Sequence, residues 1–329
     1  MPIASAQPTD TAPRKGVATR LVHVAVPLVV TGFVFWWVGA QDVLARLAAA
    51  DLAWVIAALL ACSAQIVLCA LRWQLTAARL AAPLSTQGAV AEYYLSSVIN
   101  TTVPGGVVGD ALRAVRIRGT AGLERAAQSV VIERLAGQLA FGATLLVGLA
   151  LSGRPQLQLA GGIAMGGLAS IALLVWFGRG LGLSNLLPPV VVRFANAIRT
   201  SWFDLRAASA QIALSLLIVG ANLAAFAFAA RATGAVLAFP EMLYAVPLIL
   251  AAMLIPFSVA GWGYREGAAA AVFPIIGATA AEGVATSVLF GTVILVASLP
   301  GIAVWFLHRR TKGRQRVTRR QTDAEAAAE

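Results

Sequence analysis

Two stretches of this chain combine charge with residues that break regular backbone. One is Asn100-Thr-Thr-Val-Pro104-Gly105-Gly106-Val-Val-Gly-Asp110, with Arg113 one turn later; the other is Pro256-Phe-Ser-Val-Ala-Gly261-Trp-Gly263-Tyr-Arg265-Glu266. Proline frees backbone carbonyls from helical hydrogen bonds, and glycine lets a backbone approach a neighbour or ligand closely. A second acid–arginine pair, Glu133-Arg134, follows Ser129-Val-Val-Ile. Arginine presents a planar fork that binds phosphate through two parallel hydrogen bonds. The chemistry these residues suit is recognition of a phosphate-bearing headgroup. Arg113, Arg134 and Arg265 would contact it, and Asp110, Glu133 and Glu266 would orient the guanidiniums. Asn100, Pro104, Gly105, Gly106, Gly261 and Gly263 would supply the polar, kinked backbone around it. The plainer alternative is ion pairs at a water boundary beside ordinary helix breaks.

Other chemistries find little support. The only histidines, His23 and His308, stand at opposite ends of the chain, and no Cys/His spacing suits zinc, so no metal or cofactor is expected. Cys62 and Cys69 lie seven apart on one apolar helix, too distant for a bridge, and read as small core residues. There is no phosphate-binding P-loop, no Gly-x-Ser-x-Gly elbow and no zinc-protease helix, which disfavours an ATP-driven pump. An intramembrane transferase would need a nucleophile or an acid–base pair, for which Asp110 and Glu133 are the candidates.

The elements that must position these residues follow from composition. Of 329 residues, 59% are apolar and 12% charged, against roughly 45–50% and 25% in an average soluble domain. The apolar residues fall in blocks of about 20, the length that crosses a hydrocarbon layer about 30 Å thick. Candidate spans are Leu21–Ala40, Leu52–Leu71, Leu135–Leu151, Leu157–Phe177, Ile212–Ala230 and Val284–Leu307. The first is too long for a secretory signal core and reads as an uncleaved anchor, although Val38-Gly-Ala40 resembles a cleavage site. Gly161-Gly-Ile-Ala-Met-Gly-Gly167 has the small-residue spacing of close helix packing.

The net charge of +11 lies mostly in basic segments beside the spans, at Arg14–Arg20 and His308–Arg320, so anionic lipid headgroups rather than nucleic acid are the expected partner. Cytoplasmic loops carry the Lys and Arg excess. With the amino terminus inside, the inner segments collect Arg72, Arg79, Arg113, Arg116, Arg118, Arg125, Arg179, Arg193, Arg199, Arg206 and the tail, while the outer loops hold Arg46, Arg154 and Arg231. Both termini are then cytoplasmic in a plasma (inner) membrane. That balance requires Gln87–Val103, which carries Glu92, Asn100, Thr101 and Thr102, to be a re-entrant hairpin rather than a lone crossing. Glu241–Phe273, interrupted by Pro247 and Pro256, reads as a hairpin or broken helix pair. The expected fold is an all-α polytopic bundle of six to eight spans with one or two re-entrant or broken helices. It comprises a cytoplasmic tail over 1–20, a membrane domain over 21–307 and a basic-then-acidic cytoplasmic tail over 308–329. Paired interruptions in the two halves of a transporter flank its substrate site, although the halves here share negligible identity.

Leu71-Arg-Trp-Gln-Leu75, the Asn100–Arg113 stretch, Ser129–Arg134 and Pro256–Glu266 come in the order found in the transmembrane region of bacterial lysylphosphatidylglycerol synthases, which this chain resembles. These are also called flippase-like or multiple peptide resistance factor-like membrane proteins. The resemblance covers most of the chain and implies a unit that moves an anionic lipid, a phospholipid, hopanoid or isoprenoid-linked lipid, between leaflets. The soluble aminoacyltransferase domain of the full-length synthases is not present in these residues, so the expectation is a non-enzymatic transporter. Expected associations are membrane lipids, a second copy of the chain or a lipid-synthesis enzyme. The alternative is a non-transporting membrane scaffold for such an enzyme.

Overall fold

The computed structural model describes residues 15–103, 105–119, 121–159, 161–163, 166–167, 188–202, 204–255 and 259–306. Among these the secondary structure is helical throughout, with no strand. The helices are α1 (Lys15–Val38), α2 (Ala40–Ala48), α3 (Leu52–Arg79), α4 (Thr86–Thr102), α5 (Val108–Arg116), α6 (Gly122–Leu151), α7 (Pro189–Trp202), α8 (Leu205–Ala232), α9 (Phe239–Ala251), α10 (Tyr264–Val272) and α11 (Ala280–Ser298).

Local sequence sets the helix starts. Asp51 accepts the Ala53 N–H (2.8 Å) at the head of α3, and Ser85 accepts that of Gly88 (3.1 Å) at the head of α4. Thr279 and Glu282 satisfy each other's backbone N–H groups at the head of α11, in a reciprocal box. Glycines make the sharp reversals: Gly39 (φ 97°) sits where the chain turns by 94° from α1 into α2. Gly105 (φ 93°) and Gly106 (φ 60°) lie between α4 and α5.

Among the described residues, four helices are long and apolar enough to cross a membrane: Leu52–Arg79, Gly122–Leu151, Arg206–Ala232 and Ala280–Phe306. The bent pair Leu28–Val38 and Ala40–Ala48 makes a fifth if it counts as one broken span. Most of the expected span over 157–177 lies outside the described residues, as do the tails over 1–14 and 307–329. The helices run past two expected span ends: α3 continues through Arg72 to Arg79, and α6 starts at Gly122, ahead of Glu133 and Arg134. Both arginines stand inside continuous helices, each with an ionic partner.

Both irregular regions are folded back on themselves. Helices α4 and α5 pack against each other as a hairpin, and α9 and α10, at either end of the second region, also contact each other. The largest apolar core joins α3, α8, α9, α10 and α11, where Phe226 meets Phe290 edge-on (5.2 Å) and tilts against Phe273 (6.4 Å).

The outward faces are apolar. Helix α8 buries Gln211 and exposes Ile212, Leu216 and Leu217; α5 buries Asp110 and Arg113 and exposes Val108, Leu112 and Val115. This reverses the pattern of a soluble amphipathic helix. It suits a lipid surroundings, where apolar side chains gain nothing by facing inward and charges must find partners inside the bundle.

Candidate functional site

Helices α3 to α6 converge on an internal ionic network. Arg72, on α3, donates through Nη2 to Glu133 Oε1 on α6 (2.9 Å) and through Nη1 to Ser215 Oγ on α8 (3.0 Å). Glu133 also accepts from Tyr93 Oη on α4 (3.3 Å) and lies 3.6 Å from Arg113 Nη2. Arg113 Nη2 sits 3.2 Å from Asp110 Oδ1, one turn earlier on α5. Asp110 accepts from Ser96 Oγ (2.9 Å) and pairs through its other oxygen with Arg134 Nε. Arg134 in turn donates from Nη2 to the Gly106 carbonyl (2.9 Å), in the glycine turn between α4 and α5. Arg116 and Glu92 form a further pair joining α5 to α4.

Packing holds the middle of this network. The Arg113 guanidinium lies between two aromatic faces, 4.3 Å from the Trp73 ring and 4.5 Å from that of Tyr93, a double cation–π contact within a water-poor interior. Trp73 is fixed by donating Nε1 to Ser129 Oγ (3.2 Å). Helices α4 and α5 approach closely at Gly109, whose N–H donates to Asn100 Oδ1 (2.7 Å); a Cβ there would collide with the Ser96 carbonyl.

Charge and hydrogen bonding in the network are unequal. Among the described residues, Arg72, Arg113, Arg116 and Arg134 face Glu92, Asp110 and Glu133, four cations against three anions. Arg72 Nε, all three Arg113 nitrogens and Arg116 Nη2 are buried and make no hydrogen bond among the described residues, although Arg113 Nη2 lies at ion-pair distance from its carboxylates. Buried donors are rarely left in this state, and an excess of donors fits an acceptor-rich guest such as phosphate or water. Arg134 is the most open member, with 38% of its side chain exposed, whereas Arg113 is fully enclosed.

The second interruption builds a separate cluster. Arg265 pairs with Glu266 (2.7 Å), and both bond to Ser287 Oγ on α11 (2.9 and 3.0 Å). Glu266 also accepts the Gly263 N–H (2.6 Å). The Arg265 guanidinium stacks on Trp262 (5.2 Å) and lies against Gly291, the residue that leaves room for it. Gly261 (φ 81°) brings the chain against Met253.

The sequence-selected residues thus divide. Asn100, Gly106, Asp110, Arg113, Glu133 and Arg134 come together, with Gly105 in the adjoining turn. Gly261, Gly263, Arg265 and Glu266 form their own group, and Arg265 and Glu266 pair with each other and Ser287 rather than with the first network. Pro104 lies outside the described residues, as do Pro256 and Ser258. Sequence reasoning did not assign roles to Arg72, Trp73, Ser96, Arg116, Ser129 or Ser287. The Arg-Trp pair at 72–73 and Ser129 sit within stretches that had been singled out, which was the available signal.

Apolar outer faces with charges turned inward to pair define a polytopic α-helical membrane protein with an internal ionic site. Residues 24–301 match the family model described as the lysylphosphatidylglycerol synthase TM region, and the chain belongs to that family. None of the curated proteins compared with the chain matches it.

Proposed function

We propose that this protein moves an anionic lipid between leaflets, with the α3–α6 ionic network reading the phosphate while the acyl chains stay in the bilayer. The observation that carries this reading is the unbalanced network itself. Arg113 is enclosed beside two carboxylates but makes no hydrogen bond among the described residues, and Arg134 stands at the rim, joined to it through Asp110. An arriving phosphate would supply the missing negative charge and acceptor oxygens, which lowers the cost of holding an anion at membrane depth. In this reading Arg134 makes first contact, Arg113 supplies the field behind it, and the Gly105–Gly106 turn lets the backbone yield. Membership of the synthase TM family supports a lipid cargo. The arginine excess of the sequence supports a reading in which this end of the bundle faces the cytoplasm across the inner membrane.

The test is transbilayer movement in proteoliposomes carrying labelled phosphatidylglycerol, a hopanoid or a polyprenyl phosphate. Arg134→Ala should slow transfer of the preferred anionic lipid by about tenfold, the scale of one lost charge-assisted hydrogen bond. Arg113→Lys should do likewise, because a lysine keeps the charge but loses the planar stack. Native rates in both variants, with the native chain active, would overturn the site. An inactive native chain with every lipid would overturn the function.

A further inference from the structure

Away from the ionic network, the α2 arm, the start of α3, the end of α8 and the start of α11 line an open recess of about 740 Å³, within the range of small-ligand sites. Arg72 follows Leu52 on the same helix by twenty residues, roughly 30 Å at 1.5 Å per residue. The recess and the network are therefore separated by about one hydrocarbon thickness.

Asp42, Arg46, Asp51 and Arg231 are the charged side chains that line it. Two are committed. Arg46 Nη1 pairs with Glu282 Oε1 (3.1 Å) and reaches the Thr233 carbonyl (3.4 Å), while Asp51 is the amino-terminal cap of α3. The other two have no counter-charge among the described residues. Arg231 is exposed and lies over the Trp54 ring (5.6 Å), which is itself braced by Phe228 (5.5 Å), so its cation is held in place without an acid. Asp42 is exposed on the first turn of α2 with no hydrogen-bond or ion-pair partner among the described residues.

An unused cation and an unused anion in one recess match a ligand that carries both. We propose that this recess binds a zwitterion of a phosphodiester and a primary ammonium, with the phosphodiester on Arg231 and the ammonium on Asp42. Arginine offers the phosphodiester a bidentate fork, and its stack on Trp54 reduces the rotamer entropy lost on binding. A carboxylate discriminates an ammonium-bearing ligand from a purely anionic one, since Asp42 would repel the latter. The site differs in kind from the donor-rich network, and the inference stands whether or not lipid is transported.

Calorimetric titration of the detergent-purified full chain with glycerophosphoethanolamine, glycerophosphoglycerol and ethanolamine tests it. Glycerophosphoethanolamine should bind about tenfold more tightly than either of the others. Asp42→Asn should erase its advantage over glycerophosphoglycerol, and Arg231→Gln should weaken both phosphodiesters about tenfold. Both side chains are exposed, so an unchanged melting temperature verifies the fold of each variant. Equal affinity for the two phosphodiesters, no binding of any probe, or native affinities in both variants would overturn the proposal. The source of the zwitterion is read by repeating the titration in vesicles. Loss of soluble-probe binding when phosphatidylethanolamine is added to phosphatidylglycerol vesicles supports a lipid headgroup, and retention supports a free solute.

Discussion

Arg72 and Glu133, sixty-one positions apart on α3 and α6, meet at 2.9 Å with 2% of each side chain exposed. This pair bolts two of the four long apolar helices together, and Glu133 extends it to Tyr93 and Arg113. Removing one partner leaves the other charge stranded, which in buried pairs costs about 3–5 kcal/mol, whereas replacing both with apolar residues is often neutral. Glu133→Leu alone should lower the melting temperature in detergent markedly. Arg72→Met with Glu133→Leu should recover part of that loss, and only part, because Arg113 still faces the vacated position. Additive losses in the double variant, measured by thermal unfolding, would show that the two side chains do not act as a pair.

The position of that pair also explains what could be read in advance. Apolar blocks located the long helices, because the need to satisfy backbone groups in lipid makes hydropathy a direct readout of spans. Arg72 and Glu133-Arg134 were placed at the membrane boundary because a single charge is read as a stop. Its neutralisation depends on a partner sixty-one positions away, which no window of sequence contains. The glycine and proline interruptions lie beside the two ionic clusters, and Asp110, Arg113, Glu133 and Arg134, chosen for their chemistry, stand together in the structure. Arg265 and Glu266 were joined to that group on chemistry alone. The side chain that both of them bond is Ser287, on a helix that hydropathy shows only as a uniform apolar block.

Two glycines should behave very differently from a third. A Cβ on Gly109 would meet the Ser96 carbonyl and Asn100 Oδ1 (2.8 Å), and one on Gly291 would strike the Arg265 guanidinium, whereas Gly162 has nothing within 4 Å among the described residues. Gly109→Ala should separate α4 from α5 and destabilise by about 1–3 kcal/mol, the usual range for overpacking. Gly291→Ala should push Arg265 off Ser287 at similar cost, and Gly162→Ala should be near neutral. Parallel melting curves check this; a loss at Gly162 equal to that at Gly109 would remove the steric account.

At the junction of α3 and α8, Arg79 bonds Asp204, and this contact, followed by the Arg206 backbone N–H, holds the Asp204 carboxyl below the usual carboxylate range. A depressed folded-state value means that the contribution to stability is present above the unfolded value, near 4, and is lost as pH falls through the folded value. Asp204→Asn should therefore flatten the acid limb of the stability curve below about pH 4 and leave its shape near neutrality unchanged. Melting temperature measured across pH in the two proteins is the readout, and identical acid limbs would refute the assignment.

Helix α5 gives the most direct test of what surrounds the ionic network. Its inner face carries Asp110 and Arg113, and its outer face carries Val108, Leu112 and Val115, all exposed. In water such a helix would invert, hiding three apolar side chains at a gain of about 1.5–3 kcal/mol each and solvating its charges. It is stable this way round only if lipid or further protein covers the outer face. Spin labels on single cysteines at 108, 112 and 115 in reconstituted protein should collide readily with oxygen, which partitions into hydrocarbon, and poorly with a water-soluble nickel chelate. The outcome also bears on the phosphate site. If the chelate reaches all three positions as easily as a loop, α5 lies in bulk water, Arg113 and Asp110 are an ordinary solvated helix junction, and the energetic reason for an anion to bind there disappears.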